Sequence, residues 1–373
     1  MSSARAVLLL SLSLAVSFPV HAQTPEALRA DYDLLQRWRF RTQPIEVPAG
    51  GVKWSVEGAT WTFDSGRFWL EEPTSGGAVT GLVFEGKGRF QMAVPDQSEL
   101  LQLRRFAKRP DLDGLDETFT SLVLRSSGEL PIRPAAAPGG GFEVNKLARE
   151  RHEHWLTQRF LDADSRIITA LATPGDRYLR ADMRTDDLGW LTWDYDARRI
   201  EEIRVASFNS AHPAVEVWLN LDRPSERDER GRSGSISRWS PAIDLRHFDI
   251  AVDLTQPGRD KDWSKGRFKV GVTFVPQQDG ARAVLLYLDN FAKVTAASEG
   301  GRPLPFLRDH LGERSAGLDN RIYDSSLVVL FDKPLAKGAE RRIDVEYEMD
   351  LFDYAPGREW YPSVEDDETI LFD

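Results

Sequence analysis

The sequence predicts a mainly β protein built as two units in succession. The first is a leading α+β unit, an antiparallel sheet with two helices. An antiparallel β-sandwich or saddle-shaped domain follows. Three observations predict this. Apolar and polar residues alternate in many short segments, as in Ile343, Val345, Tyr347 and Met349 against Asp344, Glu346 and Glu348. Successive side chains of a strand point to opposite faces, so such a run is a half-buried strand. Glycine and proline punctuate these segments at close intervals, and only a few stretches carry helical spacing.

Residues 1–22 read as a signal peptide. Arg5 supplies the positive n-region, Ala6–Phe18 the apolar h-region and Val20-His21-Ala22 the small-residue cleavage site. The mature chain is expected to start at Gln23, in the periplasm or outside the cell. No other apolar run is long enough to span a bilayer.

Residues 23–222 form the predicted α+β domain. An amphipathic helix over about Pro25–Arg39 places Leu28, Tyr32, Leu35 and Trp38 on one stripe. Short strands follow at Thr60–Phe63, Gly66–Leu70, Val79–Phe84 and Arg89–Ala93, with turns at Asp64-Ser65-Gly66 and Pro73–Gly77. A helix runs from Asp96 to Lys108. Asp96 is its cap, Glu99 completes a capping box, and Leu100, Leu103 and Ala107 form the buried stripe before Pro110. A strand at Phe119–Arg125 precedes a loop at Pro131–Gly141, and a second helix is expected over Phe142–Phe160. Strands return at Tyr178–Arg184, Gly189–Tyr195, Ile200–Ala206 and Val215–Leu221.

Residues 223–240, which take in all but the first residue of the mixed-charge stretch Asp222–Trp239, have little to bury and read as a linker or exposed loop. Residues 241–373 form the second predicted β domain. Phe248, Ile250, Val252 and Leu254 alternate, as do Phe268, Val270, Val272 and Phe274. Val284–Leu288, Ser326–Phe331 and Ile343–Met349 are further strands, and Pro303–Asn320 is a loop. The chain closes on Leu371-Phe372-Asp373, which reads as the start of another strand, so this domain is expected to be incomplete at its C-terminus.

Composition narrows the function. The 373 residues include no cysteine, which excludes disulfides, thiolate metal sites and a cysteine nucleophile. Loss of Arg5 with the leader takes the formal charge from −11 to −12, which disfavours nucleic acid and anionic lipid as partners. The 11 Trp, 19 Phe and 8 Tyr suit a β-protein core, with a ligand-stacking surface as the alternative.

No catalytic, cofactor-binding or metal-binding residues can be named from spacing. His152-Glu153 begins a zincin pattern, but Leu156 stands where its second histidine belongs, and His152 and His154 point apart on a helix. The other mature-chain histidines are His212, His247 and His310. Asp111-Leu112-Asp113-Gly114 lacks the oxygen donor and glycine that a calcium loop needs next, where Leu115 and Asp116 stand. Glu365-Asp366-Asp367-Glu368 reads as solvated charge. Gly86-Lys87-Gly88 reads as a hairpin turn, and Gly231-Arg232-Ser233-Gly234 lacks the spacing of a nucleophile elbow.

The segments FDIAVDL, KGRFKVGVTF, ARAVLLYLDNFAKVTAAS, EGGRPLPF, SSLVVLFDKPLAKGAERRIDVEYEMDL and GREWYPSVEDDETILFD, in that order, give a resemblance. Leu245–Asp373 resembles the N-terminal β-domain of zinc aminopeptidases of the membrane alanyl aminopeptidase (gluzincin) family. Tyr361-Pro362, Asp366-Asp367-Glu368 and Phe372 stand at the matching places before a further strand. GLVFEGKGRFQMAVPD and DETFTSLVLR are similar to an extra leading domain of some secreted bacterial members.

The resemblance implies a β-domain that roofs the active-site cleft and helps to bind the substrate's N-terminus. It also implies that the zinc motif belongs to a catalytic domain following this region. Zinc is therefore expected only in that domain, and no family catalytic residue transfers to this chain. The leading expectation is a non-catalytic leading region of a secreted aminopeptidase-like protein, truncated before its zinc domain. Its partners would be a downstream catalytic domain or a peptide substrate. The alternatives are a stand-alone periplasmic binding or scaffold module and an enzyme with a site assembled from scattered Ser, His and Asp.

Overall fold

In the computed structural model, the described residues are 24–132, 141–144, 163–209, 214–233, 242–255, 265–288, 292–308 and 326–350. The first part of the chain contains α1 (Pro25–Leu35), β1 (Arg39–Arg41), β2 (Ile45–Glu46), β3 (Val52–Val56), β4 (Ala59–Leu70), β5 (Gly81–Ala93) and α2 (Gln97–Ala107). It continues through β6 (Gly114–Ser126), β7 (Phe142–Val144), α3 (Ala163–Leu171), β8 (Tyr178–Thr185), β9 (Trp190–Asp196), β10 (Ile203–Asn209), β11 (Ala214–Leu221) and α4 (Pro224–Ser233). Among the described residues, the second part contains the strands β12 (Ile243–Thr255), β13 (Lys265–Pro276), β14 (Ala283–Tyr287) and β15 (Lys293–Glu299). The last four are β16 (Arg302–Pro303), β17 (Phe306–Leu307), β18 (Ser326–Leu330) and β19 (Arg341–Asp350). The fold is mainly β, as the alternation of the sequence implies.

Nine strands form one antiparallel sheet in the order β11-β10-β9-β8-β6-β5-β4-β2, with β3 also paired to β4. Its apolar face carries an aromatic core of Trp61, Phe63, Phe68, Phe84, Phe90, Phe119, Trp193 and Tyr195, all essentially inaccessible to solvent. Three strands separate β4 from β9, which would hold them about 19 Å apart in a flat sheet. Yet the rings of Trp61 and Trp193 meet edge-on at 5.0 Å. The sheet is therefore curled around its aromatic core, and Trp61 spans the interior to donate its Nε1–H to the Met183 sulfur at 3.2 Å.

The helix α2 lays Leu100 and Leu103 on this core. Asp96 caps it, accepting from the backbone N–H groups of Ser98 and Glu99. The Glu99 side chain does not close the expected capping box. It accepts instead from the backbone N–H of Asn220 on β11, at 3.3 Å, and so ties the helix to the sheet edge.

Two smaller sheets follow. One has the order β12-β13-β19-β15-β16, the other β14-β18-β17, and all pairings are antiparallel. They sandwich a core of Val272, Phe274, Val284, Leu327, Val329, Ile343 and Val345. The next residues along β18, Val328 and Leu330, point the other way. There they join Leu28, Tyr32 and Leu35 of α1 and Ile167 and Ile168 of α3 in a third cluster. β18 is buried on both faces, which explains its uninterrupted apolar text. The Ser326 hydroxyl donates to Ser165 Oγ at 2.6 Å, and the Arg29 guanidinium donates to the Phe306 carbonyl at 2.8 Å, across the same contact.

Several expectations need correction. α1 stops at Leu35, because Trp38 takes a left-handed backbone (φ 50°) that turns the chain into β1. Its ring packs with Phe40, not on the helix stripe. The expected breaks at Asp64-Ser65-Gly66 and Gly86-Lys87-Gly88 are bulges inside the long strands β4 and β5, not turns. Glycine there serves close approach: a Cβ on Gly66 would stand 2.2 Å from the Glu85 carbonyl oxygen. Phe142–Val144 is a strand paired with β1, not the start of a helix, and the rest of that expected helix lies outside the described residues. α3 and β15 were not expected. Pro224–Ser233 is helical where an unstructured stretch was read. Asp111–Gly114 is the bend between α2 and β6. Residues 1–22, expected to be a signal peptide, and the strand expected to start near Phe372 lie outside the described residues.

Candidate functional site

Alternation along β6, β8 and β9 gives the large sheet a second face. On it Arg125, Arg180, Asp182, Thr192, Asp194 and Asp196 project away from the aromatic core. Such a face is ordinarily wet. Here it is covered in part by α3, and every one of these side chains is buried. Burying an ionised group costs several kcal/mol unless it is paired and hydrogen-bonded. The layer is built accordingly.

Arg166, projecting from α3, is its centre. Its Nε and Nη2 donate to the two carboxylate oxygens of Asp196 at 2.9 and 2.7 Å, while Nη1 and Nη2 reach Asp176 at 3.3 and 3.2 Å. Arg198 Nε also donates to Asp176, at 2.7 Å. Burial opposes ionisation of Asp196, but the charge and hydrogen bonds of Arg166 outweigh it and hold the carboxyl below the usual carboxylate range.

Arg180 forms a two-pronged pair with Asp182 at 2.7 and 3.0 Å, and Thr192 donates its hydroxyl to the same carboxylate. There burial prevails and raises the Asp182 carboxyl, with Arg180 acting against it. Asp194 is held between Arg199 and Arg204, the latter donating at 2.9 and 2.7 Å.

The remaining corner joins Glu71, Arg125, Asp164 and Trp38. Arg125 donates to Asp164, its Nη1 lies 3.4 Å from Glu71 Oε1, and its guanidinium carbon sits 4.4 Å from the Trp38 ring centroid. Thr80 donates to the other Glu71 oxygen at 2.9 Å. One guanidinium faces two carboxylates in a desolvated site. Burial, chiefly, pushes Glu71 up to about 7, with Arg125 and Thr80 resisting and Asp164 adding to the rise.

A stability profile should show this. Glu71 holds its proton more tightly folded than unfolded, so the fold loses stability as pH rises from the ordinary 4.5 through about 7, and is level above that. The interval corresponds to about 3 kcal/mol. Glu71→Gln, which keeps the shape and an acceptor for Thr80, is expected to flatten that decline in urea midpoints between pH 5 and 8. Parallel profiles for the two proteins would show that Glu71 is ionised throughout.

The layer can hold elements together. Its carboxylates are engaged by arginines, and the Thr80 and Thr192 hydroxyls donate to two of them. Sequence reasoning did not find it, because alternate Arg and Asp along a strand also describe a solvated face. The available signal was the choice of Arg and Asp at facing positions of neighbouring strands, such as Arg180 beside Asp194.

Among the described residues no group of three or more His, Cys, Asp or Glu could hold an ion. His247, the one histidine among them, is exposed on β12 with Nε2 2.9 Å from Asp249. His152, His154, His212, His310 and Glu365–Glu368 lie outside the described residues. Among those described, no helix is long and apolar enough to cross a membrane.

A second feature is an apolar strip. Leu245, Phe248, Ile250 and Val252 on β12 lie opposite Phe274, Val272, Val270 and Phe268 of β13, on the core-facing side of their sheet. The β13 residues are covered or half-covered, but those of β12 are 45%, 50%, 63% and 40% exposed.

No family model matches the chain, and no curated protein matches it. Among solved structures it is similar to the M1 zinc metallopeptidase from Deinococcus radiodurans, at 18% identity over 29% of this chain and 20% of that one, with a TM-score of 0.22. A point mutant of that enzyme bound to a Tyr-Ser-Ala substrate gives the same identity and TM-score over 29% and 21%. A two-domain M1 zinc metallopeptidase mutant bound to L-tryptophan does so over 30% and 21%. The chain thus spans about a fifth of the length of these structures. A likeness at this level carries no statement about activity.

Proposed function

We propose that this chain is a non-catalytic leading region of a secreted aminopeptidase-type protein, whose zinc chemistry resides in a catalytic domain outside these 373 residues. The observation that carries the reading is where the resembling segments fall. FDIAVDL, KGRFKVGVTF, ARAVLLYL, SSLVVL and RRIDVEYEMD are the strands β12, β13, β14, β18 and β19. These strands adjoin in one pair of antiparallel sheets around a common core. The non-catalytic part of the reading is supported by the charged layer, whose acids are held by arginine in fixed geometry.

In this role the β unit would form a wall beside the cleft of the zinc domain, and the curled sheet with its charged layer would brace that wall. The discriminating observation is the DNA immediately downstream, translated in all frames. The reading expects an HExxH motif with a further glutamate beyond it. Its absence from every frame would remove the reading.

A second reading, a stand-alone periplasmic binding or scaffold module, is favoured by the exposed apolar strip on β12. In that case the strip itself is the functional surface.

A further inference from the structure

We propose that the chain self-associates through β12, which pairs antiparallel with β12 of a second copy about a two-fold axis at Ile250. Among the described residues β12 is hydrogen-bonded on one side only, to β13, and it is 13 residues long. A long edge strand offers a row of backbone donors and acceptors to another chain unless something blocks it. The usual blocks, a proline or a charge projecting on the apolar side, are absent between Phe248 and Val252. That side carries Phe248, Ile250 and Val252 in succession, all at least two-fifths exposed.

The strand's own sequence selects the second copy as occupant. In antiparallel pairing, opposed residues share a face, and with Ile250 on the axis Phe248 falls opposite Val252 and Ile250 opposite itself. The apolar strip then continues across the junction without a polar interruption. On the other face Asp249 falls opposite Ala251, and His247, whose Nε2 lies 2.9 Å from Asp249 of its own strand, falls opposite Asp253, an imidazole facing a carboxylate, twice by symmetry. Moving the axis by one residue is unfavourable either way: Asp249 then meets itself, or it meets Asp253. Like charges directly opposed destabilise a strand pair. The pattern is therefore complementary to itself in that register, and both neighbouring registers are penalised.

The experiment is sedimentation equilibrium of the full chain with three variants. The wild-type chain is expected to dimerise. Ile250→Asp puts two carboxylates face to face on the axis and should raise the dissociation constant at least about tenfold. Because Ile250 is exposed within one copy, far-UV circular dichroism and the melting temperature should stay near wild type. The chain has no cysteine, so Ile250→Cys gives one thiol per copy. Directly opposed residues have Cα atoms about 4.5–5.5 Å apart, within disulfide range. Mild oxidation should therefore cross-link Ile250→Cys rapidly, and Ala251→Cys, which faces Asp249, at least about tenfold more slowly. A chain monomeric at every concentration would overturn the proposal, with the strip then covered by another part of the chain or by a different protein. A dimer that survives Ile250→Asp, or equal cross-linking of both cysteine variants, would overturn it too.

Discussion

Replacing Arg166 by methionine is expected to destabilise the fold by about 3–5 kcal/mol. The side chain is 1% exposed and provides four hydrogen bonds to Asp176 and Asp196. Methionine fills much of the volume but leaves two buried carboxylates with less counter-charge than they need. Arg198 still reaches Asp176, whereas Asp196 loses its two-pronged partner. The size of the loss should depend on pH. With Arg166 present, Asp196 sits below its ordinary 3.8, so its contribution is full above that value and disappears as pH falls through the lowered one. The gap between wild type and variant should therefore be widest near neutrality and narrow in acid. Urea unfolding at pH 7 and at about pH 2.5, below the ordinary 3.8, measures both. A loss below about 1 kcal/mol would be the value of a surface pair and would deny the layer its structural role.

Trp61→Ala is expected to cost about 3–5 kcal/mol, the usual range for a large aromatic removed from a packed core. The ring is fully buried and touches Trp54, Phe90 and Trp193 at centroid distances of 4.9, 5.1 and 5.0 Å. Those neighbours come from strands on opposite sides of the curl, so the cavity cannot close without flattening the sheet. The near-UV circular dichroism of the tryptophan cluster should fall together with the unfolding midpoint. Retention of both would mean that the curl does not depend on that contact.

The two effects belong to opposite faces of one sheet, and the sequence showed them unequally. Strand alternation at Ile343–Met349 and in the Phe248 and Phe268 runs was legible, because a half-buried strand writes its two faces directly into the residue order. The cap at Asp96 was legible for a similarly local reason. What remained hidden depends on contacts distant in the chain. Arg166 lies on a helix whose short text, ADSRIITAL, announced neither its length nor the carboxylates it meets at Asp176 and Asp196. Trp38 fitted the helical stripe in spacing, and only the left-handed backbone at that residue took it elsewhere. Gly66 and Gly86 read as punctuation, while their use is to let two long strands approach at a bulge. The charged layer was the largest omission. Arg and Asp at alternate positions describe wet and buried faces equally well, and only the covering helix decides between them.

The strand β12 shows the converse. Its apolar alternation gave the strand, but nothing local indicated that Phe248, Ile250 and Val252 stay two-fifths or more exposed. Burial is a property of the neighbours. The same reasoning separates the two proposals: the family reading rests on which segments adjoin, the self-pairing on which edge remains.

On the proposed reading, the buried acids of this chain serve its fold and the zinc chemistry belongs to another domain. The most direct measurement is made on the full chain purified without chelator and then incubated with zinc. Metal content is read by elemental analysis and hydrolysis with aminoacyl arylamides. A catalytic zinc normally takes three protein ligands, and the expected result is substoichiometric metal and no hydrolysis above a heat-denatured control. One tightly held equivalent of zinc, with arylamide hydrolysis that a chelator abolishes, would contradict it.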